Sequence, residues 1–315
     1  MKLAEHLVGI DSDVKRLILT VADNAVKVKK GFACGHALCD SENIHGETQI
    51  ELDKYADGLF TKALEETGIV RNIASEEQGE IKEILKAGGS WGITIDPLDG
   101  SSCVKTNLTV GTIVGMFNEG NVLEKGNRMD AACFVLYGPL TTLTYACKNW
   151  GTHEFVLDPE KNEFYLRNES IKIPDGKIYA PGGLPSEWFP ENALYVKELA
   201  RQGYKLRYSG SLAADFNQIL FYGGVFIYPS VKKKPEGKLR LLFEANPLAF
   251  IAKEAGGYAS DGHRPILEIK PEKIAQRVPL YIGSRKSVEL AENFLRKSLQ
   301  KDQPSAGKFI SGSGR

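Results

Sequence analysis

The sequence lacks a net charge, because its 40 Lys and Arg residues are balanced by 40 Asp and Glu residues. Proteins that bind nucleic acids or membrane surfaces usually carry a basic excess, so we expect neither partner. The apolar runs are short and interrupted, which excludes a membrane-spanning helix. No apolar export region and no Arg/Ser-rich transit segment follows Met1. We therefore expect a cytoplasmic protein, or a plastid protein if a transit segment has been removed.

Cysteine is also scarce, with five residues in the whole chain. Cys34 and Cys39 flank His36, but no second Cys/His pair follows at the spacing of a zinc site. The two cysteines lie in a Gly-containing segment, where they could form a reversible disulfide. Two ordinary thiols are the simpler interpretation of the residues alone.

What the chain does have is enough apolar residues for a large core, 42% of 315 residues. That amount suits one large domain or two coupled ones. A polar stretch with several Pro and Gly residues, 169–183, is the best candidate for a boundary. We predict an N-terminal domain over 1–178, a C-terminal domain over 179–300 and a disordered tail over 301–315.

Hydrophobic periodicity predicts alternating helices and strands. Apolar residues on one stripe predict a helix from Ser12 to Lys30, with Gly31 as its stop. The run Leu239 to Phe243 predicts a strand with Glu244 at its end. Ser284 is expected to cap the last helix.

One stretch of the chain, Ile93 to Ser102, carries two kinds of chemistry. Alternating residues predict a strand that ends at Asp96 and leads into a turn. Asp96 and Asp99 could then converge on one point together with the Leu98 carbonyl, as a hard cation such as Mg²⁺ requires. The following Gly100-Ser101-Ser102 offers main-chain N–H groups and hydroxyls to an anion. The alternative is that these residues form only a turn.

Four further acids lie on a predicted helix and after a predicted strand, where they could contribute to the same metal site. Asp53 and Asp57 share one face of a predicted helix, where half-buried like charges call for a cation or an Arg opposite. Glu76 and Glu77 follow a predicted strand. Solvated helix acids and an exposed acidic loop are the alternatives.

Basic and phenolic residues gather in the second half of the chain. Such side chains beside small-residue turns suit a phosphate that is bound without being cleaved. Scattered surface residues are the alternative. The members of this set are Arg207, Tyr208, Tyr228, Lys238 and Arg240.

Together these motifs resemble the sedoheptulose-1,7-bisphosphatase and class I fructose-1,6-bisphosphatase family, which is related to the Mg²⁺-dependent inositol monophosphatases. The resemblance runs from about residue 33 to residue 295. It rests on Ser75-Glu76-Glu77, Asp96 to Ser102, Val110 to Ile113, Arg207-Tyr208 with Gly210, and Lys238 to Glu244 followed by Pro247.

The resemblance implies a layered αβαβα sandwich of two coupled α/β halves. It also implies two or three Mg²⁺ ions per site, with Mn²⁺ as a substitute. The implied metal ligands are Glu76, Asp96, the Leu98 carbonyl, Asp99 and Glu244.

The resemblance further assigns catalytic and binding roles. Asp53 would activate water, with Asp57 and Glu77 as supporting acids. The departing phosphate would lie against Asp99, Gly100, Ser101 and Ser102, and the sugar hydroxyls near Ser211-Leu212. The distal phosphate would be held by Arg207, Tyr208, Tyr228 and Lys238, with Arg240 also expected to contact substrate. In the family the Arg207 position reaches a neighbouring subunit, which implies a homo-oligomer, a dimer or a tetramer.

The substrate is harder to choose. Ala180-Pro181-Gly182-Gly183 resembles the sedoheptulose enzymes, whereas 223–229 and 276–280 resemble the fructose enzymes. Because the departures touch the substrate pocket, we expect hydrolysis of the 1-phosphate of sedoheptulose-1,7-bisphosphate to sedoheptulose-7-phosphate. Fructose-1,6-bisphosphate, or both substrates, is the alternative. More distant alternatives are an inositol-phosphate or nucleotide-phosphate phosphatase and an inactive phosphosugar-binding regulator.

Two regulatory expectations also follow from the resemblance. The spacing of Cys34 and Cys39 is that of the regulatory pair in the light-activated plastid sedoheptulose enzyme, which makes a redox switch possible. AMP-inhibited relatives carry a Lys-Tyr pair where this chain has Ser90 and Trp91, so we expect no AMP inhibition.

Overall fold

Two β-sheets separated by helices form the structure, a computed structural model that describes residues 1–38, 47–84 and 88–301. The larger sheet contains eight strands: β1 (Val70–Ser75), β2 (Lys82–Glu83), β3 (Trp91–Asp99), β4 (Val110–Phe117), β5 (Ala131–Tyr137), β6 (Thr141–Cys147), β7 (Gly151–Asp158) and β8 (Glu163–Asn168). Their order is β2-β1-β3-β4-β5-β6-β7-β8. β1 and β3 pair in parallel, so their carboxyl ends meet at one edge of the sheet.

The smaller sheet has the order β10-β9-β11-β15-β13, and a separate two-stranded ribbon pairs β12 with β14. The strands of these two units are β9 (Ile178–Pro181), β10 (Lys205–Leu206), β11 (Val225–Tyr228), β12 (Leu239–Arg240), β13 (Tyr258–Ser260), β14 (Arg277–Val278) and β15 (Leu280–Gly283).

Seven α-helices are found in the described part of the chain: α1 (Leu3–His6), α2 (Ser12–Leu38), α3 (Glu47–Glu66), α4 (Pro190–Arg201), α5 (Leu212–Tyr222), α6 (Asn246–Glu254) and α7 (Arg285–Lys301). α2 and α3 cover one face of the larger sheet, α5 and α6 lie between the sheets, and α4 and α7 cover the far face of the smaller sheet. None of the described helices is long and apolar enough to cross a bilayer.

Alternation along the strands explains this layering. In β11, Val225 and Ile227 face the outer core with α4 and α7, whereas Phe226 faces the core between the sheets. In β4, Ile113 and Val114 likewise enter different cores. Because both faces of each sheet are covered, the central strands β3 to β6 are buried along their whole length. The predicted αβαβα sandwich is confirmed.

Gly31 does not stop the first long helix, and that prediction is wrong. α2 continues to Leu38. A Cβ atom at Gly31 would lie 2.7 Å from Cε1 of Tyr55 on α3. The glycine therefore allows two helices to approach closely and does not cap either of them.

The predicted strand from Leu239 to Phe243 is also wrong. After the two residues of β12, a π-helical turn, Leu241–Ala245, leads directly into α6 and carries Glu244. A short apolar run fits a buried strand and a buried helix equally well, so periodicity could not distinguish them.

Two local details differ as well. β3 does not end at Asp96 but continues to Asp99, with a shift of register between these residues. α7 begins directly after Ser284, as predicted. The hydroxyl of Ser284, however, accepts a hydrogen bond from the Gly224 N–H and donates one to the Pro174 carbonyl. This serine therefore joins three segments.

The predicted redox switch, disordered tail and domain boundary are not tested by the structure. Cys39 and residues 302–315 lie outside the described residues, as does the side chain of Cys34, so the redox switch and the tail stay predictions. The division at residue 178 also stays a prediction. Three described cysteines are buried free thiols: Cys103, Cys133 and Cys147.

Packing between the sheets provides a test of the fold. Phe216 of α5 is fully buried and meets Phe134 of β5 edge to face, with 5.7 Å between the ring centroids. We expect Phe216→Ala to lower the free energy of unfolding by about 3–5 kcal/mol, because it leaves a cavity in the central layer. Leu194→Ala, on the exposed side of α4, should change it by less than about 0.5 kcal/mol. Denaturant unfolding measures both, and equal losses would contradict the layer assignment.

Candidate active site and metal centre

Three buried carboxylates meet where the larger sheet faces the π-helical turn. Asp96, Asp99 and Glu244 each offer an oxygen, and these oxygens lie within 4.8 Å of one another. Glu76 follows β1, and its N–H donates to the carbonyl of Ile95 in β3 at 3.0 Å. The parallel pairing of β1 and β3 therefore brings Glu76 to the same edge as Asp96. We call Glu76, Asp96, Asp99 and Glu244 the acid cluster.

Each carboxylate of the buried trio is held by a defined donor. Asp99 accepts from the Ser211 hydroxyl and the Ala213 N–H, both at 2.8 Å. Asp96 accepts from the Leu98 N–H at 3.1 Å, and Glu244 accepts from the Arg240 N–H. These bonds fix the side chains and leave further carboxylate oxygens for a ligand.

The electrostatics of the trio favour a cation. Burial raises the pKa of Asp96 well above its usual range, and the negative charges of Glu76, Asp99 and Glu244 raise it further. Burial likewise raises the pKa values of Asp99 and Glu244. The Arg240 guanidinium lies 3.2 Å from Glu76, at the edge of the cluster.

The donor set therefore fits a hard divalent cation. Buried carboxylates that repel one another need a positive charge between them, and oxygen ligands suit Mg²⁺ or Mn²⁺. That Glu76 and the Leu98 carbonyl are also ligands of this cation stays a prediction.

Two further acids, Asp53 and Glu77, lie close enough to the acid cluster to interact with the charge of Glu76. Asp53 is buried, and its Oδ1 has no hydrogen-bond partner among the described residues. Burial and the charge of Glu77 raise the pKa of Asp53 to about 6, although a hydrogen bond with Ser101 opposes the shift. Burial also raises the pKa of Glu77, followed by the charges of Glu76 and Asp57.

Asp57 has a different environment from Asp53, although both lie on one face of α3 as predicted. Its carboxylate accepts from the Ser75 hydroxyl at 2.6 Å and from Nε2 of Gln78 at 2.9 Å. These donors engage both oxygens of Asp57. It therefore positions the end of β1.

A cavity of about 240 Å³ opens from the acid cluster. Gly100, Ser101 and Ser102 line it near the acids, and Tyr208, Tyr228, Lys238 and Arg240 line it as well. We call these last four residues the distal set. Gly100 has φ +75°, and a Cβ there would lie 2.7 Å from Cβ of Ser211, so only glycine fits.

Two predicted substrate ligands are engaged elsewhere within the chain. The guanidinium of Arg207 lies 5.3 Å from the ring centroid of Tyr222 and does not line the cavity. Ser211 is buried and donates to Asp99, so it supports a carboxylate. Its neighbour Leu212 does line the cavity.

Sequence reasoning missed two residues at this site. Arg277 lines the cavity beside Arg240, because β12 and β14 pair these two residues directly. Asp215 is buried in α5 and accepts from the Ser209 N–H at 2.8 Å and 3.1 Å. An acid on the apolar stripe of a predicted helix was the available signal for Asp215. No local signal pairs residue 277 with residue 240.

The chain is similar over most of its length to known sugar bisphosphatases. Family models described as fructose-1-6-bisphosphatase, N-terminal domain and C-terminal domain, match residues 5–169 and 173–296. A class 1 fructose-1,6-bisphosphatase of Methanocorpusculum labreanum is 46% identical over 273 residues, which cover 87% of this chain and 84% of that protein. One of Methanospirillum hungatei is 41% identical over 288 residues, covering 91% and 92%.

The fold is similar as well. The crystal structure of Leishmania major fructose-1,6-bisphosphatase in holo form aligns with a TM-score of 0.86 at 30% identity. The alignment covers 94% of this chain and 99% of that one. The likeness thus extends over both sheets and the helices between them.

The raised pKa values of the acid cluster predict how Mg²⁺ should act on stability. An acid whose pKa is higher in the folded state than in the unfolded state destabilises the fold as pH rises through its unfolded pKa, about 4. A cation that binds the ionised acids offsets this loss. We expect Mg²⁺ to raise Tm more at about pH 7.5 than at about pH 5.

Thermal unfolding with and without Mg²⁺ at the two pH values measures this effect. Asp96→Asn removes one of the repelling charges, so the metal-free variant should be at least as stable as the wild type and gain less from Mg²⁺. An Mg²⁺ effect that is independent of both pH and this substitution would contradict the assignment of the acid cluster.

Proposed function

The chain belongs to the fructose-1,6-bisphosphatase family, and we propose that it hydrolyses the 1-phosphate of fructose-1,6-bisphosphate in an Mg²⁺-dependent reaction. One observation carries the proposal. At one end of a single cavity lie buried carboxylates and the hydroxyls of the serine turn. The cationic and phenolic distal set lines other walls of the same cavity. Such a cavity suits a substrate with one phosphate to be cleaved and another to be held.

The distal set argues against a monophosphate as the substrate. The ammonium of Lys238 lies 5.3 Å from the ring centroid of Tyr228, and Arg277 adds a second guanidinium beside Arg240. Positive charges and phenolic donors of this kind bind phosphate oxygens. An inositol-phosphate or nucleotide-phosphate phosphatase would have no need of a second phosphate site.

The residues of the chain divide the reaction between them. Bound Mg²⁺ would supply positive charge to the phosphoryl oxygens and make water more acidic. Glu76, Asp96, Asp99 and Glu244 would hold it. Asp53 would accept the proton of the attacking water, because it is buried, faces Glu77 and has a free oxygen. Ser101 and Ser102 would hold the departing phosphate with the N–H groups of the turn.

Fructose-1,6-bisphosphate is preferred to sedoheptulose-1,7-bisphosphate on the names of the relatives. The relatives described above are named fructose-1,6-bisphosphatases, which favours the alternative substrate over the one expected from sequence. None of them supports the sedoheptulose preference.

One observation keeps the sedoheptulose substrate as a second candidate. A Cβ at Gly182 would lie 2.5 Å from the ring of Tyr228 and 3.2 Å from the hydroxyl of Tyr208. The turn that resembles the sedoheptulose enzymes thus packs on two phenols of the distal set. One carbon of substrate length is a small difference that such packing can decide.

We also propose that the enzyme is a homo-oligomer. Arg207 lies outside the cavity of its own chain, and large side chains around it are exposed, namely Leu206, Tyr208 and Tyr222. Exposed apolar groups around a cation are typical of an interface. In a dimer or tetramer, Arg207 would contact the distal phosphate in a neighbouring subunit.

The metal assignment predicts the effect of Asp96→Asn on turnover. Removing this charge should lower kcat by at least about 10³-fold, because the cation that stabilises the phosphoryl transfer is lost. The fold should remain, as judged by circular dichroism. Phosphate release with Mg²⁺ measures the effect, and Asp130→Asn, outside the cavity, is the control. An Asp96→Asn variant with near-wild-type rates would disprove the metal assignment. If the wild-type protein itself had no activity, the inactive phosphosugar-binding regulator would be favoured instead.

Parallel assays should identify the substrate. We expect kcat/KM to fall in the order fructose-1,6-bisphosphate, sedoheptulose-1,7-bisphosphate, inositol-1-phosphate. A reversal of the first two would restore the sedoheptulose preference. Highest activity on inositol-1-phosphate would contradict the role of the distal set.

Arg207 provides a test of the oligomer. Arg207→Ala should raise KM by about 10-fold or more, because a charged hydrogen bond to phosphate is lost. If the residue acts in a neighbouring subunit, co-expression of Arg207→Ala with Asp96→Asn should form sites that have both residues intact. Mixed oligomers should then recover a wild-type KM in a fraction of the sites. Co-expression without recovery, from a protein that sediments as a monomer, would contradict the proposal.

A further inference from the structure

Two buried histidines and a carboxylate form a second potential ligand set on the larger sheet. His6 comes from α1, His153 from β7 and Glu169 from the segment after β8. Their candidate ligand atoms lie within 4.8 Å of one another. None of the three lines the catalytic cavity. We call them the histidine cluster.

Burial and contact distances give the cluster a defined shape. His6 is 8% exposed and His153 is 3% exposed, whereas Glu169 reaches the surface. Nε2 of His6 lies 3.6 Å from Oε1 of Glu169, too far for a strong hydrogen bond. The two imidazole centroids are 4.6 Å apart. Glu169 is therefore the most exposed member of the cluster.

Neighbouring groups orient both imidazoles. Nδ1 of His6 is hydrogen-bonded to the Tyr145 hydroxyl at 2.7 Å, so its Nε2 faces Glu169. Nε2 of His153 lies 3.2 Å from the Trp150 carbonyl, which can only accept, so this nitrogen carries the proton. Nδ1 of His153 then has the lone pair, which accepts from the Ser170 N–H at 3.2 Å. Histidines that bind metals usually donate their other N–H to a carbonyl in this manner.

We propose that the histidine cluster binds one transition-metal ion of the zinc class through Nε2 of His6, Nδ1 of His153 and a carboxylate oxygen of Glu169. Two imidazoles and one carboxylate suit such an ion, whereas Mg²⁺ prefers oxygen ligands alone. The ion would replace the hydrogen bond from the Ser170 N–H and would leave a fourth position for water. The site thus differs from the acid cluster in the ion that it selects.

The role of the ion follows from what it would join. The N-terminal segment is held to β8 by the bond from the Leu166 N–H to the Met1 carbonyl at 2.9 Å and by the ion pair of Lys2 with Glu163 at 2.8 Å. A metal at the histidine cluster would fasten α1 to β7 and to the segment after β8. It would stabilise the fold without entering the reaction.

Co²⁺ is the probe for this site, since its visible absorption reports nitrogen ligands and coordination geometry. The protein is stripped with a chelator, supplied with excess Mg²⁺ to occupy the acid cluster, and titrated with Co²⁺. Absorption and thermal unfolding are recorded together. The variants are Glu169→Gln, whose side chain is exposed, and His153→Asn. Glu160→Gln, an exposed acid in the turn before β8, is the matched control, and Asp96→Asn tests independence from the acid cluster.

We expect one Co²⁺ per chain with an absorption typical of imidazole ligands, together with a rise in Tm. Glu160→Gln and Asp96→Asn should keep both signals. Glu169→Gln should weaken Co²⁺ binding by about tenfold or more, and His153→Asn should abolish it. Failure of the wild type to bind, equal binding by wild type and Glu169→Gln, or loss of the signal in Asp96→Asn would each overturn the proposal. If His153→Asn does not fold, Glu169→Gln decides alone.

Discussion

Repulsion among buried carboxylates is the constraint on which the rest of the structure depends. Asp96, Asp99 and Glu244 lie within reach of one cation, and water is largely excluded from them. An arrangement of this kind cannot hold itself together, because ionised carboxylates in a medium of low dielectric repel strongly. Its geometry must come from the elements that carry it. β3 lies between two paired neighbours, and the π-helical turn is fixed by α6, which is buried between the sheets.

Asp99 also connects the two layers of sheet. It belongs to β3 of the larger sheet, and it accepts from Ser211 and Ala213 at the start of α5. One turn further along α5, Asp215 accepts a hydrogen bond from the Ser209 N–H. Tyr208, which lines the cavity, is the residue just before Ser209. A short series of hydrogen bonds thus runs from the acid cluster to the distal set. The separation between the acid cluster and the phenols of the distal set is therefore fixed by the start of one helix, α5.

The sequence predicted what depends on local patterns. Most strands with alternating or continuous apolar residues were found, and Asp96 and Asp99 converge on one point as their spacing predicts. Errors arose where a distant segment decides the local structure. Gly31 permits contact with Tyr55, and Glu244 sits on a π-helical turn because the segment enters a buried helix.

The missed Arg277 and the unforeseen contact of Ser211 with Asp99 have the same explanation. Arg277 reaches the cavity only through the pairing of two strands that are two residues long and far apart in sequence. Ser211 is diverted to Asp99 by a contact that spans 112 positions. Neither contact leaves a trace in the residues next to it. Patterns within a window of sequence therefore identify the acids but not the partners that orient them.

The two ends of the cavity differ in how freely they can change. In the acid cluster, Asp96 and Asp99 lie on the fully buried β3 and Glu244 on a buried turn, so a substitution there disturbs both packing and charge. The distal set instead comes from short strands and loops: Lys238 precedes the two residues of β12, and Gly182 allows the phenols to pack on a tight turn. Small changes in such turns would move the side chains of the distal set without disturbing the core. This asymmetry explains why the acids of this chain identify its family readily, whereas the geometry of the distal set depends on the conformation of a few turn residues.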